Sequence, residues 1–398
     1  MKAILILILI LLVSGCSRDK IPTGGTVDVP LISEATVFGL NAPFSTSEDI
    51  RFTITKFQDL NVKKVRIWEN WGLREPTQGT ENWKPLDTKI NAAKDNNLSI
   101  VLTLKPVGLD SSGNTYWYCD PAKANENSCV FQAQYEQDFK DYISNLTKRY
   151  SNKIDKIQFS NEWTSDYHFV GSEQDYVKYA NWVYDITKAN SPKTEVVLGS
   201  MTKWPFVIIA GCQLKTLNEV ILDDGTVLSG KTAINQYCKN KLTIVNRTSY
   251  VLANAKYDKV DIHFYDDPDN WDEYIAALKT LTSKPIIITE FGGPDIEDPR
   301  FDAYDESVQS SELRKYMDKI RTLGVQEAYF FTLVQSSAAG INHPLSGLMK
   351  LVNNYPEAKP NYNVFKEYTT GSQQQNSTQN SKKGGFTVII SRLFNITK

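Results

Sequence analysis

The sequence predicts an α/β protein built as one (β/α)8 TIM barrel, and three observations lead there. Short apolar runs rich in β-branched residues alternate with longer stretches of helical period. That alternation passes through eight strand candidates. The span between an apolar N-terminal leader and a polar C-terminal stretch is about 340 residues, enough for one large barrel or for two ordinary domains, so the order of elements decides. Strict alternation favours parallel strands joined by right-handed crossovers. An open doubly wound sheet would usually place a glycine-rich phosphate turn after its first strand, and Phe38-Gly39-Leu40-Asn41 is not one.

The elements follow in order. Strands are predicted at Thr36 to Asn41, Lys63 to Trp68, Ser99 to Leu104, Lys156 to Ser160, Glu195 to Ser200, Val260 to Phe264, Pro285 to Thr289 and Gln326 to Leu333. Helices are predicted between them at Ser47 to Leu60, Leu86 to Asn96, Phe131 to Tyr150, Glu173 to Ala189, a stretch before Tyr257, Trp271 to Leu281 and Ser307 to Leu323, with a last one over Asn361 to Tyr368. Two insertions break the rhythm, Val107 to Val130 after strand three and about Trp204 to Asn240 after strand five. Both fall on strand-to-helix loops, the face where barrels of this kind carry their sites.

The termini read differently. Lys2 precedes an apolar run from Ala3 to Val13, too short to span a bilayer, and Val13-Ser14-Gly15-Cys16 follows at once. These four residues resemble a bacterial lipobox, which implies cleavage of residues 1–15 and lipidation of Cys16, with residues 16–33 as a tether; an ordinary signal peptide is the plainer alternative. The expected barrel covers residues 34–370. Residues 371–385 are rich in Ser, Gln and Asn and are read as a flexible linker; residues 386–398 receive no assignment.

Without Cys16 the chain keeps Cys119, Cys129, Cys212 and Cys238, an even number in a chain that reads as exported. Two disulfides are expected, and proximity would join Cys119 to Cys129 and Cys212 to Cys238, although four cysteines allow three pairings. Neither pair has zinc-knuckle spacing and only three histidines exist, so no metal or other cofactor is expected. A formal charge of −2 gives no footprint for nucleic acid. A membrane is expected as a partner through the lipid alone; the barrel itself is expected to be a monomer outside the cytoplasm, at the cell surface or in a periplasm.

Two strands deliver carboxylates at their C-terminal ends. Lys156-Ile157-Gln158-Phe159-Ser160-Asn161-Glu162 presents an amide and then an acid, and Pro285-Ile286-Ile287-Ile288-Thr289-Glu290 presents a second acid. Either glutamate alone is more simply a solvated loop acid or a helix cap. Together, on strands four and seven of one barrel, they face each other across one mouth. Hydrolysis of a glycoside with retention needs two such carboxyl groups in different protonation states, one attacking the anomeric carbon and one protonating the leaving oxygen.

Asn161-Glu162 after strand four and Glu290 at the end of strand seven resemble the clan A glycoside hydrolases. The resemblance runs from about Thr36 to Tyr368 and implies Glu162 as acid/base and Glu290 as nucleophile. It further implies Arg66 as the cation that keeps the nucleophile ionised, His263 and Tyr265 as the strand-six pair whose hydroxyl touches it, and Asn161 as a partner of the sugar 2-hydroxyl. An arginine in a structural ion pair and a satisfied core histidine are the plainer readings of Arg66 and His263. Two departures stand out: strand eight ends in Tyr329-Phe330-Phe331 without the tryptophan many members carry, and Lys105-Pro106 follows strand three where some families have a histidine. Family 5 in particular is not favoured for these reasons; a member resembling families 39 or 53, or an unclassified relative, fits as well.

Trp68, Trp71, Trp117, Trp163, Trp204 and Trp271, six of the eight tryptophans, fall at or just beyond predicted strand ends. Flat indoles suit the C–H faces of sugars, so Trp68, Trp163 and Trp204, with Phe331, are candidate sugar contacts. The function expected is cleavage of β-linked oligo- or polysaccharides. A silent barrel that only binds sugar is the alternative, and a metal-dependent deacetylase or esterase is disfavoured because His168, His263 and His343 fall on different loops and no Gly-x-Ser-x-Gly is present.

Overall fold

A computed structural model describes residues 36–42, 44, 46–222, 226–239, 241–265, 268–292, 305–335 and 346–371. The leader, Cys16 with its tether, all but the first residue of the linker, the tail and His343 lie outside the described residues.

Eight parallel strands form one sheet: β1 (Val37–Asn41), β2 (Lys64–Asn70), β3 (Ser99–Lys105), β4 (Lys156–Phe159), β5 (Glu195–Leu198), β6 (Val260–Phe264), β7 (Ile286–Phe291) and β8 (Glu327–Phe330). Apart from β5 and β6, each pairs with its sequence neighbour, and β8 pairs with β1. Two parallel bridges, Val197 to Lys259 and Met201 to Ile262, close the gap between β5 and β6. The result is the (β/α)8 barrel expected. Its strands are fully or nearly fully buried, which explains their continuous Val/Ile/Leu/Phe composition in place of a strict alternation. The few polar residues inside those strands therefore stand out.

Helices start where a cap is available. Thr46 and Ser172 each close a capping box, with Asp49 and Asp175 respectively, and Asp305 accepts from the backbone N–H of Ser307. The barrel floor is ionic: Glu327 at the start of β8 accepts Lys156 at 2.8 Å and Lys64 at 3.3 Å, from the starts of β4 and β2. No helix among the described residues is long and apolar enough to cross a membrane.

The insertions carry more structure than loops. After β3, Cys119–Ala124 pairs antiparallel with Cys129–Phe131, so the helix expected from Phe131 begins only at Glu136. After β5 come Trp204–Ile208, a wider turn over Ile209–Leu214, a hairpin of Glu219–Ile221 with Val227–Ser229, and a helix at Lys231–Cys238. Cys119 bonds Cys129 and Cys212 bonds Cys238, with Cα–Cα distances of 5.7 and 6.2 Å that suit a disulfide. A third insertion was not foreseen. After β8, Met349–Val352 and Tyr355–Ala358 form a hairpin around Asn353-Asn354, both at positive φ, and a last helix covers residues 360–371.

Candidate active site

Side chains on or just beyond β2, β4, β6 and β7 come together in one polar cluster. Arg66, fully buried on β2, is its hub. Its Nη1 pairs with Glu290 Oε1, its Nη2 donates to Gln158 Oε1 and Asn161 Oδ1 at 2.9 Å each, and its Nε donates to Thr103 Oγ1 at 2.8 Å. A planar guanidinium reaches all four because its donors are fixed in a fork. Tyr265, just past β6, donates to the other oxygen of Glu290 at 2.5 Å. Burial, then the charge of Glu290, pushes the Tyr265 phenol well above its ordinary value, so it stays a donor.

Glu162 sits three residues beyond β4 on a turn in which both Ser160 (φ 69°) and Glu162 (φ 44°) take left-handed backbone conformations. Such geometry persists only where surroundings enforce it, and here Ser200 Oγ accepts the Glu162 N–H at 2.8 Å and donates to Asn161 Oδ1 at 3.0 Å. The carboxylate takes His263 Nδ1 on Oε1 at 2.9 Å and His168 Nε2 on Oε2 at 2.8 Å. Burial raises the acid, but the hydrogen bonds from His168 and His263 outweigh it and hold Glu162 well below the usual carboxylate range. Burial opposes charge on His263 as well, yet Glu290, then Asp261 and Glu162, lift it to about 10.

Behind these residues runs a buried chain of polar side chains that the sequence reading missed. Thr103 donates to Gln158 at 2.7 Å, Gln158 Nε2 donates to Asp261 at 2.6 Å, and Asp261 also accepts the backbone N–H and the hydroxyl of Thr289. His263 Nε2 meets Thr289 Oγ1 at 3.1 Å. A pairing irregularity between β6 and β7, where Asp261 faces Ile287 but His263 faces Glu290, lets both Thr289 and Glu290 point at this chain. The signal was available: Gln158 and Asp261 are polar residues in the middle of otherwise apolar strands.

His168 and His263 fall on different loops in the sequence but converge on one carboxylate in space. Glu162, His263 and Glu290 each bring one nitrogen or oxygen within 4.8 Å of the others. All four carboxylate oxygens already receive donors, from Arg66, Tyr265, His168 and His263, so the cluster reads as a hydrogen-bonded pair of acids rather than a metal centre.

The aromatic rim is smaller than expected. Trp163 is fully buried, stacked on Tyr176 at 4.7 Å with its Nε1 donating to Gly199 O at 2.7 Å, so it cannot face a sugar. Trp71 and Trp271 are core residues too, stacked on Tyr118 and Phe264. Trp117 is half-buried and bonds the Glu75 carbonyl. Trp68 remains half-buried at the mouth with the Arg66 guanidinium 4.0 Å from its ring centre and Lys105 at 5.5 Å. Phe331, half-buried, lies edge-on to Tyr265 at 6.4 Å. Trp204 sits in the β5 insertion beneath Lys203 and near Tyr237, and none of its described contacts reaches the two acids.

Residues 225–351 match the family described as glycosyl hydrolase catalytic core. That segment carries His263, Tyr265, Glu290 and Phe331. No curated protein matches the chain by sequence. Among solved structures, an exo-β-1,4-mannosidase from Opitutaceae bacterium strain TAV5 is similar at TM-score 0.56 and 14% identity, over 88% of this chain and 63% of that one. The chain thus spans less than two thirds of that enzyme's length. An endo-β-1,4-mannanase from Thermotoga petrophila aligns at TM-score 0.55 and 16% identity, over 85% and 77%. A β-glucosidase from Exiguobacterium marinum aligns at TM-score 0.55 and 12% identity, over 81% and 86%. At such identities these likenesses speak to the barrel alone. The chain thus shares the (β/α)8 barrel of these enzymes, and its segment 225–351 is similar to a glycosyl hydrolase catalytic core.

Proposed function

We propose that the protein cleaves β-linked oligo- or polysaccharides with retention of configuration, using Glu290 as nucleophile and Glu162 as acid/base. The observation that carries this reading is the spacing of the two acids: one carboxylate oxygen of each lies within 4.8 Å of the other. Retaining enzymes hold their carboxyl groups about 5 to 5.5 Å apart, whereas inverting ones leave about 6.5 to 9.5 Å for a water.

In the first step a Glu290 oxygen bonds the anomeric carbon as the glycosidic C–O bond breaks, and Glu162 delivers a proton to the departing oxygen. That proton comes from the Glu162–His263 pair, which holds one between Oε1 and Nδ1. In the second step Glu162 takes a proton from water, the water oxygen bonds the anomeric carbon, and the bond to Glu290 breaks. Once Glu290 is esterified its charge is gone, which removes the main influence raising His263 and favours a pair ready to accept. The Oδ1 of Asn161 is taken by Arg66 and Ser200, which leaves its NH2 to donate to the sugar 2-hydroxyl. Trp68 and Phe331 are the aromatic faces the sugar would meet. The β-linkage is in keeping with the names of the mannosidase, mannanase and glucosidase of similar fold.

Export belongs to the same proposal, with residues 1–15 removed, Cys16 lipidated, residues 34–370 as the catalytic domain, and residues 371–385 as a linker. Two disulfides suit an oxidising compartment. Palmitate labelling that persists in Cys16→Ala would overturn the anchor. For the chemistry, reducing-end release is measured on a panel of β-glucans, mannans, xylans and galactans. On any substrate cleaved, Glu162→Ala and Glu290→Ala should each abolish turnover. Azide should restore it as the β-glycosyl azide in Glu162→Ala and as the α-anomer in Glu290→Ala. Full activity in either variant sinks the assignment.

A further inference from the structure

The loop after β4 carries a second imidazole onto Glu162, and everything around that imidazole is fixed. His168 Nε2 lies 2.8 Å from Glu162 Oε2, the oxygen that His263 does not use. Its Nδ1 is buried and has no hydrogen-bond partner among the described residues. With Nδ1 turned away from the acid, Nε2 is the nitrogen that donates to Glu162. Tyr167 packs edge-on against the ring at 5.0 Å.

The backbone on both sides of His168 is tied down. Asn125 Nδ2 donates to Tyr167 O at 2.9 Å, and Ser128 Oγ accepts the Val170 N–H at 3.0 Å. Both partners sit in the insertion that Cys119 and Cys129 close, where Asn125 is itself fixed by the N–H groups of Asn127 and Ser128. From the opposite side Arg247, on the helix Leu242–Asn254, donates to the carbonyls of Phe169 and Gly171 at 3.0 Å each. Four ties thus bracket one side chain whose only described hydrogen bond is to the candidate acid/base.

We propose that His168 is a positioning residue for Glu162, aiming its carboxyl and setting when it holds the proton, and that the disulfide-closed insertion keeps His168 in place. This rests on the reading of Glu162 as acid/base. The other charged or titratable groups facing Glu162 are His263 on β6 with Asp261 behind it, Tyr265 beyond β6, Glu290 on β7, Arg66 on β2 and Lys105 on β3. Glu126, in the insertion, faces His168 itself. None of these donates to Oε2 of Glu162, so His168 acts on that oxygen by itself among the described residues.

The sign follows from the bond. A donor stabilises the carboxylate over the acid, so its removal lets Glu162 hold its proton to higher pH. A hydrogen bond to a charged group corresponds to a shift of about one pH unit. The test reads the 13C-labelled carboxyl of Glu162 by NMR across pH in the full chain without substrate, with Glu162→Gln assigning the signal. His168→Leu should move the titration up by about one unit. His168→Gln, which keeps an amide donor and most of the packing, should move it less. Asn125→Ala combined with Ser128→Ala should shift it in the same direction while His168 is intact. An unchanged Glu162 titration in folded His168→Leu, or equal shifts in the Leu and Gln variants, overturns the proposal.

Turnover separates this outcome from failure of the catalytic reading. If Glu162→Ala leaves cleavage unimpaired, the acid/base assignment falls whatever the titration shows. If Glu162→Ala is inactive, His168→Leu should slow unactivated β-glycosides more than 2,4-dinitrophenyl glycosides, whose leaving group needs no proton. An equal loss on both substrates would mark a merely structural role and count against the proposal.

Discussion

His263 bridges the two halves of the site: its Nδ1 stands 2.9 Å from Glu162 Oε1 and its Nε2 stands 3.1 Å from Thr289 Oγ1. The Thr289 hydroxyl donates to Asp261, so it accepts from Nε2, and the ring is held as an Nε2–H imidazole. Nδ1 then either accepts from a protonated Glu162 or, as imidazolium, donates to its carboxylate. One proton is shared across that contact, and the charges of Glu290 and Asp261 place it on His263 at neutral pH. Such a pair titrates as a unit.

Removing the charge of Glu290 should therefore be felt at His263, 3.6 Å away. In Glu290→Gln the imidazole should titrate below its wild-type value of about 10. The sign carries into stability. A raised histidine stabilises the fold fully below its ordinary 6.5, and that contribution is lost as pH rises through about 10. Wild-type protein should thus lose stability between pH 6.5 and 10, and Glu290→Gln should lose less over the same window. Imidazole 15N shifts and urea unfolding at several pH values check both halves; identical titration in the two proteins would refute the coupling.

Arg66→Lys tests whether geometry or charge matters on β2. An ammonium can meet Glu290, but it cannot also serve Thr103, Gln158 and Asn161, which the guanidinium reaches together. Those acceptors are buried, so about 2 to 3 kcal/mol of stability should go. Turnover should fall on the order of a hundredfold as Glu290 and Asn161 drift from their positions. Wild-type kcat in Arg66→Lys would show that the cation alone suffices.

Trp163 and Trp68 should part company on mutation. Trp163→Phe deletes the donor to Gly199 O inside the core and should cost about 1 to 3 kcal/mol while leaving KM alone. Trp68→Ala, at the half-buried mouth, should leave the fold intact and raise KM by about tenfold on the loss of a stacking face. Thermal melts and steady-state kinetics on the same substrate separate the two, and a raised KM in Trp163→Phe would return that indole to the cleft.

This contrast also marks where reading the sequence stopped working. Eight apolar runs and the helices between them located the barrel because burial on both faces leaves a strong compositional trace. Glu162, Glu290, Asn161, His263 and Tyr265 were visible as polar residues at or near the ends of those runs and Arg66 as a cation inside one, and the structure gathers all six at one mouth. Whether an indole near a strand end turns inward or outward depends on residues far along the chain: Trp163 turns in because Gly199 and Tyr176 make room and offer an acceptor. His168 was illegible for the same reason. Its loop has no periodicity, and its direction is set by Asn125, Ser128 and Arg247, which lie about 40 to 80 residues away.

Gly292 gives the last prediction, because it lies two residues beyond Glu290 with no room for a side chain. A Cβ there would stand 2.6 Å from Ser346 Oγ, 2.7 Å from the Phe331 carbonyl oxygen and 3.3 Å from Cε1 of Tyr265. The Ser346 hydroxyl can rotate, but it is bonded to that same Phe331 oxygen, and the carbonyl belongs to the backbone leaving β8. Relief must come from moving that backbone, or the strand end that carries Glu290, and either shift carries Tyr265 or Phe331 with it. In Gly292→Ala the Tyr265 bond to Glu290 should lengthen and turnover should drop on the order of ten- to a hundredfold, since displacements near 1 Å are enough for such losses. Stability should fall by about 1 to 3 kcal/mol, as overpacking does elsewhere. Kinetics of Gly292→Ala beside Tyr265→Phe give the check: if the two defects are independent and simply multiply, the clash does not act through Tyr265.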